Sequence, residues 1–341
     1  MRSDRVCQAL LFFSVLLHFC LAYWVDRSSS ILVIGSFGLL WVVFLIQWAN
    51  WKIGAKQIIA LGMLLRLIYL IAVPELSDDV FRYVWDGFQL VNGVSPYEWT
   101  PTEWVGQTEE AVFQWLHPLL NSPDYYSIYP PVLQFFYGLS AWLSGGNVYL
   151  AIIILRAFVL LAEVGSMLII WKLLKAWNGN SHNLMLYSLN PLVIAEFSGN
   201  LHNEAFMVFF LLLSLYLLVK NWRWLSAVSF ALSVGVKLLP LMFLPFFIKR
   251  IGLRESVVYG AAIGVALLLM YLPFWSDKLI ENNLTSLSLY FANFEFNASI
   301  YYIIREIGFQ ATGYNIIGTT AIWLPRIVLV SVLLLAIFNW D

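Results

Sequence analysis

Long apolar runs separated by short polar connections set the pattern of this chain. The runs over residues 7–24, 31–48 and 57–73 are each about 17 or 18 residues long, and a helix needs roughly 17–25 residues to cross the hydrocarbon core of a bilayer. Further runs lie at 148–171, 182–197, 205–219, 224–248, 257–274 and 317–338. Each predicts helix, because lipid offers backbone N–H and C=O groups no partner and helices satisfy them internally; the run at 224–248 is interrupted by Pro240 and Pro245 and, with basic residues on both flanks, is expected to turn back. The run at 129–143 differs. It opens with Tyr129-Pro130-Pro131 and lasts about fifteen residues, which is short for a span and suits an interfacial or re-entrant helix. If it crosses instead, the sidedness of the following segments inverts. No internal repeat or soluble domain interrupts the pattern. The expected fold is all-α, one polytopic transmembrane domain over 1–341.

Composition narrows the class. Of 341 residues, 61% are hydrophobic and 11% charged, with a mean hydropathy of +0.78; a soluble domain averages about 25% charged residues. A membrane-lipid environment is expected, and no nucleic-acid partner. Met1-Arg2-Ser3-Asp4-Arg5 precedes the first run, and Leu21-Ala22-Tyr23-Trp24 ends it without a small-residue cleavage pattern, so a retained span is expected rather than a signal peptide. Cys7 and Cys20 form no disulfide framework or metal spacing. The chain stops at Asn339-Trp340-Asp341 with no basic tail, which reads as a C-terminally shortened copy of a longer protein.

Basic residues orient the chain, since they concentrate in cytoplasmic connections. Arg2, Arg5, Lys52 and Lys56 place the first and third helix starts inside. The 74–128 loop then falls on the non-cytoplasmic side, as a large first external loop expected to carry interfacial helices. Its acids surround a single Lys or Arg, Arg82. A loop this long in a compact protein is more often functional than idle.

The loop opens with Ser77-Asp78-Asp79-Val80-Phe81-Arg82-Tyr83-Val84-Trp85-Asp86-Gly87. As a helix, Ser77 is the expected N-cap, and Asp78 and Asp79 meet the positive end of the helix dipole. Asp78, Arg82 and Asp86 share one face, with Asp79 and Tyr83 beside it. Spacing therefore predicts an Asp78–Arg82 pair and leaves Asp79 the less neutralised acid. The cluster reads either as a capped interfacial helix or as a site. His202-Asn203-Glu204 follows a later run and supplies donors and acceptors, but not at zinc spacing. Lys237 lies in an apolar stretch just before Pro240, and intramembrane ionisable groups are functional candidates; there it would hold a lipid phosphate as a point charge. Arg66 and Arg156 sit in apolar runs and offer the same. A carboxylate base and a cation for a departing phosphate suit group transfer from a lipid phosphate. A secondary transporter or lipid flippase fits the same spans.

The stretch from Leu76 to Gly87, followed by Asn92-Gly93-Val94-Ser95-Pro96-Tyr97, resembles the first external loop of GT-C-type glycosyltransferases. It is most similar to bacterial polyprenol-phosphate-mannose-dependent mannosyltransferases and their glycosylphosphatidylinositol mannosyltransferase relatives. Tyr129-Pro130-Pro131, Leu201-His202-Asn203-Glu204, Val236-Lys237-Leu238-Leu239-Pro240 and Phe296-Asn297-Ala298-Ser299-Ile300-Tyr301 resemble later family elements in order. The resemblance implies inverting transfer of a hexose, usually mannose, from a polyprenyl-phosphate-linked donor to a glycan or glycolipid acceptor. It implies an active site on the non-cytoplasmic face of a bacterial inner membrane. One of Asp78 and Asp79 would be the general base. Arg82, Tyr83, Asp86, His202, Asn203, Glu204, Lys237 and Asn297 would bind substrate, and the aromatic loop around 290–296 would meet sugar or prenyl tail. Some relatives use a divalent metal, Mg or Mn, for which Asp79 and Glu204 are the candidate ligands.

Overall fold

The computed structural model describes residues 2–293 and 299–338. Among them every regular element is helical: α1 (Arg2–Tyr23), α2 (Ser30–Asn50), α3 (Ala55–Leu67), α4 (Asp79–Val91), α5 (Pro101–Val105), α6 (Ala111–Leu116), α7 (Pro131–Ser144), α8 (Val148–Ala176), α9 (Met185–Ser188), α10 (Pro191–Val193), α11 (Glu204–Val219), α12 (Arg223–Val234), α13 (Leu244–Ile251), α14 (Leu253–Tyr271), α15 (Leu279–Asn293), α16 (Ser299–Thr312) and α17 (Ile317–Phe338). Five helices among the described residues are long and apolar enough to cross a membrane: Asp4–Tyr23, Ser30–Asn50, Val148–Ala176, Leu253–Phe274 and Ile317–Phe338. The chain is an all-α, multi-pass membrane protein. The apolar side chains that these helices leave exposed, such as Ile31, Ile34, Leu268 and Phe338, match a lipid rather than an aqueous surround.

Helix α8 is the hub, packing against α3, α4, α7 and α11. One core cluster joins α4, α7, α8 and α11 through Val80, Trp85, Leu133, Leu155 and Phe206. A second joins α2, α3 and α8 through Phe44, Ile58, Leu65 and Met167. A third holds α11 to α12, α13 and α14 through Leu218, Phe230, Phe247 and Tyr259.

The run at 57–73 is not one continuous span. Helix α3 has 13 residues, about 20 Å at 1.5 Å per residue, against a core of roughly 30 Å. Residues 68–72 leave the helix in tight turns, and distant side chains satisfy the carbonyls this frees. Tyr23 Oη donates to the Ile68 carbonyl at 2.8 Å, Tyr149 Oη to Ile71 at 2.6 Å, and Arg156 to Leu70 at 3.3 Å and to Ala72. The runs at 182–197 and 205–219 also differ from two separate spans. They form a pair, Pro191–Gly199 and Glu204–Val219, bent by 116°. The break begins as a π-helix over Ile194–Gly199, in which the Asn200 N–H reaches the Ala195 carbonyl at 2.8 Å. The run at 224–248 breaks near Pro240 as expected: α12 ends at Val234 and a 3-10 turn over Leu239–Phe243 precedes α13. Helix α7, with 14 residues, is about 21 Å long and too short to cross by itself.

Helix α4 is more enclosed than an interfacial helix. Val80, Arg82, Tyr83, Val84, Trp85, Asp86, Gly87, Phe88 and Gln89 are all buried. Its backbone approaches α7 so closely at Gly87 that a Cβ there would lie 2.4 Å from the Tyr137 carbonyl oxygen. Only glycine fits that crossing. The position of α4 on α7 is therefore fixed by residues fifty apart in the chain.

Candidate active site

Helix α4 begins one residue later than spacing predicts. Asp78 stands at the N-cap and Asp79 at the first helical position, and the Ser77 hydroxyl accepts from the Asp79 N–H at 3.4 Å. The predicted Asp78–Arg82 pair is absent. Asp78 instead meets Arg27, from the α1–α2 connection, at 2.5 Å across an exposed gap. Arg82 turns the other way, with Nε donating to Asp86 Oδ1 at 2.7 Å and a terminal nitrogen to the Ser122 carbonyl at 3.0 Å. Asp86, fully buried, also accepts from Ser127 Oγ at 2.5 Å and Gln134 Nε2 at 3.0 Å. Arg82 and Asp86 thus bind each other and tie α4 to the 117–134 segment. Asp79 accepts the Asn121 amide at 2.8 Å, and among the described residues no cation pairs with it.

Tyrosines link α4 to the second half of the site. Tyr83 stacks on Tyr137 of α7 with ring centroids 4.9 Å apart, and both meet Tyr129 edge-on. The Tyr137 hydroxyl accepts the Asn203 amide at 2.8 Å. Asn203 is buried and precedes Glu204, the first residue of α11. Leu201, fully buried, holds a left-handed backbone with φ 58°. A bulky residue adopts that conformation only where its surroundings impose it, at a cost of about 1–3 kcal/mol. Packing of Leu201 into the core under α4 and α8 thereby sets the direction of the following residues.

Those residues form two ion pairs. His202 Nδ1 lies 2.7 Å from Glu196 Oε2, and Lys237 Nζ lies 2.5 Å from Glu204 Oε1. Lys237 projects from the break between α12 and α13. It is anchored to α7 two residues earlier, where the Val132 N–H donates to the Gly235 carbonyl at 3.2 Å. The charges of Asp79 and Glu204 both act on Tyr83 and on His202, so the α4 acid and the α11 acid share one neighbourhood. Burial pulls the His202 pKa down, but the hydrogen bond to Glu196 and the negative charges of Glu204, Glu196 and Asp79 outweigh it and raise the pKa above its ordinary value. The imidazole is held toward its charged form.

The structure thus gathers Asp79, Tyr83, His202, Asn203, Glu204 and Lys237, while Arg82 and Asp86 stand behind them. Asn297 and the 294–296 part of the aromatic loop lie outside the described residues; residues 290–293 continue α15 rather than form a loop. Arg66 and Arg156 are not phosphate holders. Both are fully buried; Arg66 Nε meets Glu163 at 2.5 Å, and Arg156 is occupied by carbonyls. Sequence reasoning passed over Glu196, Glu163, Asn121 and Arg27. The signal for the first two was present, since each is an acid inside an apolar run. Nothing local marks Asn121 or Arg27.

Among the described residues no three His, Cys, Asp or Glu side chains gather as a metal-ligand group. Glu204 faces an ammonium and His202 turns Nδ1 to Glu196, so this donor set does not fit a divalent ion. Beside the site, an apolar groove of about 720 Å³ runs between α4, α7, α11, α12 and α14, lined by residues such as Leu90, Val132, Phe136, Leu139, Leu232 and Met270.

Comparison with known proteins matches residues 10–251 to the MptA_B family model, described as alpha-(1->6)-mannopyranosyltransferase, N-terminal domain. That region contains every site residue described above. Alpha-(1->6)-mannopyranosyltransferase A of Mycobacterium tuberculosis is 26% identical over 219 residues, covering 60% of this chain and 40% of that protein. The protein of the same name from Corynebacterium glutamicum is 27% identical over 203 residues, covering 55% of this chain and 39% of that protein. The chain spans about two fifths of the length of these curated relatives. No solved structure matches.

Proposed function

The chain belongs to the alpha-(1->6)-mannopyranosyltransferase (MptA_B) family, and on that premise we propose that it transfers a mannosyl group from a polyprenyl-phosphate carrier to a hydroxyl of a glycan or glycolipid acceptor. The observation that carries this reading is one neighbourhood holding an acid with no cationic partner among the described residues, Asp79, and a cation, Lys237, whose backbone two residues earlier is bonded to Val132 in the lining of the apolar groove. Asp79 takes the acceptor proton as the hydroxyl oxygen attacks the anomeric carbon. The bond from that carbon to the phosphate oxygen breaks, and polyprenyl phosphate departs. Lys237, held by Glu204, meets the charge developing on the phosphate. His202, kept toward its charged form by Glu196, adds a second positive group.

The groove takes the isoprenoid chain. Its volume lies within the range of ligand sites, Val132 lines it, and Val132 is bonded to the backbone two residues before Lys237. One base and one leaving group on opposite sides of the sugar make a single displacement, so the anomeric configuration inverts. An alpha product then requires a donor of the opposite configuration. The basic residues flanking the first helices support a site on the non-cytoplasmic side, and the bacterial relatives support an inner-membrane location.

The test is reconstitution in proteoliposomes with radiolabelled polyprenyl-phosphate mannose and an oligomannoside acceptor. Labelled mannose should enter the acceptor covalently, and nucleotide-linked mannose should not replace the donor. Movement of the donor across the bilayer with no covalent product would make the protein a flippase and overturn the assignment.

A further inference from the structure

The site is built from two chain segments that belong to different parts of the fold. Residues 68–78 run from the end of α3 to Asp78 and Asp79. Residues 199–204 run from the π-helix to His202 and Glu204. Neither is a regular helix, and each ends within a few residues of a side chain that the proposed reaction uses. Something must hold their separation constant.

We propose that Arg156 is a positioning residue that clamps these two segments together. Its guanidinium emerges from the first half of α8, the most buried of the five long apolar helices, and is itself fully buried. One terminal nitrogen donates to the Leu70 carbonyl at 3.3 Å and to the Ala72 carbonyl. The other donates to the Gly199 carbonyl at 3.3 Å. The planar fork therefore binds the first segment with one arm and the second with the other. A guanidinium presents such donors in fixed geometry, which an ammonium does not. Charge-assisted bonds to buried carbonyls are also stronger than neutral ones.

Packing at the same place reinforces the clamp. The Tyr69 ring lies against Gly199 so closely that a Cβ there would sit 3.1 Å from Tyr69 Cε1. Tyr149, seven residues earlier in α8, serves only the first segment, donating to the Ile71 carbonyl at 2.6 Å. Arg156 thus differs from its neighbours in bonding both segments at once. Among the described residues no hydrogen bond or ion pair joins it to Asp79, His202, Glu204 or Lys237, so it acts through the backbone that carries them.

This inference rests on the proposed mannosyl transfer for its kinetic half, and the experiment separates the two. Amide hydrogen exchange by mass spectrometry is measured on the full chain in detergent for the native protein, Arg156→Lys, Arg156→Gln and Tyr149→Phe. Arg156→Lys should speed exchange in residues 68–79 and in 199–204 together, whereas Tyr149→Phe should loosen only the first segment. If Arg156→Lys does not fold, Arg156→Gln, which retains amide donors without charge, gives the same comparison. Loosening of one segment alone, or of neither, overturns the clamp. In the transfer assay, Arg156→Lys should lower kcat by roughly 10²-fold, the order expected for a reacting group displaced by about an ångström, while donor KM changes less than about threefold. Loss confined to donor KM, or an unchanged kcat despite loosened segments, also overturns it. If the native protein transfers no mannose at all, the reading of the reaction falls, and the exchange result still decides the clamp.

Discussion

Replacing Asp86 by asparagine should damage the fold of the site rather than its chemistry. Asp86 has no exposed surface, and its carboxylate accepts from Arg82, Ser127 and Gln134. The substitution keeps shape but leaves the Arg82 guanidinium, 4% exposed, without a counter-charge. It also turns an amide donor or a weaker acceptor toward two groups that donate. Breaking a buried ion pair from one side costs about 3–5 kcal/mol, far above the few tenths expected of an exposed i,i+4 pair. The assay is unfolding of the purified protein in mixed detergent, read by near-UV circular dichroism, which senses packed aromatics such as Trp85 against Phe113. A second variant, Arg82→Met with Asp86→Leu, removes both charges and should recover part of the loss, because Ser127 and Gln134 still lose their acceptor. A change below about 1 kcal/mol for Asp86→Asn would refute the reasoning and return Asp86 to the status of a solvated or substrate-facing acid.

Three further outcomes are expected. Gly87→Ala should destabilise by about 1–3 kcal/mol through overpacking, because its methyl would collide with the Tyr137 backbone; thermal unfolding in detergent measures this. His202 has a raised folded pKa, so the stability conferred by its charged form is complete below the unfolded value of 6.5 and is lost as pH climbs through the folded pKa. The native protein should therefore lose melting temperature between pH 6 and 9 relative to His202→Gln, and parallel curves would contradict the pairing with Glu196. Leu139→Trp, which narrows the groove, should raise KM at least about tenfold for a long polyprenyl donor and leave a short-chain donor nearly unaffected.

The sequence carries the lipid-facing part of this fold plainly. Helices α1, α2, α8, α14 and α17 follow the long apolar runs, because lipid contact writes hydrophobicity into every turn. What fails to show is helix length where other helices satisfy the backbone. Nothing within 57–73 announces that α3 ends at Leu67, since the groups that accept the loss, Tyr23, Tyr149 and Arg156, come from elsewhere in the chain. The bend after Gly199 and the enclosure of α4 are hidden for the same reason. The acid cluster is visible as a cluster, and spacing ranks Asp79 as less neutralised than Asp78. The partner differs from the one spacing predicts: Arg27 pairs with Asp78, and Arg82 faces Asp86. Helical periodicity compares residues on one helix, whereas Arg27 reaches over from a different connection. Glu196 was legible as an acid in an apolar run and needed only the π-helix to bring it back beside His202.

Single-turnover transfer by Asp79→Asn and Asp78→Asn measures most directly whether Asp79, rather than Asp78, accepts the proton in mannosyl transfer. Asp79→Asn should lose roughly 10²–10⁴-fold in rate, the usual contribution of a general base, with its fold intact. Asp78→Asn should lose less than about tenfold, since an exposed pair with Arg27 contributes little. Native-like transfer by Asp79→Asn, or the larger loss in Asp78→Asn, would contradict the account.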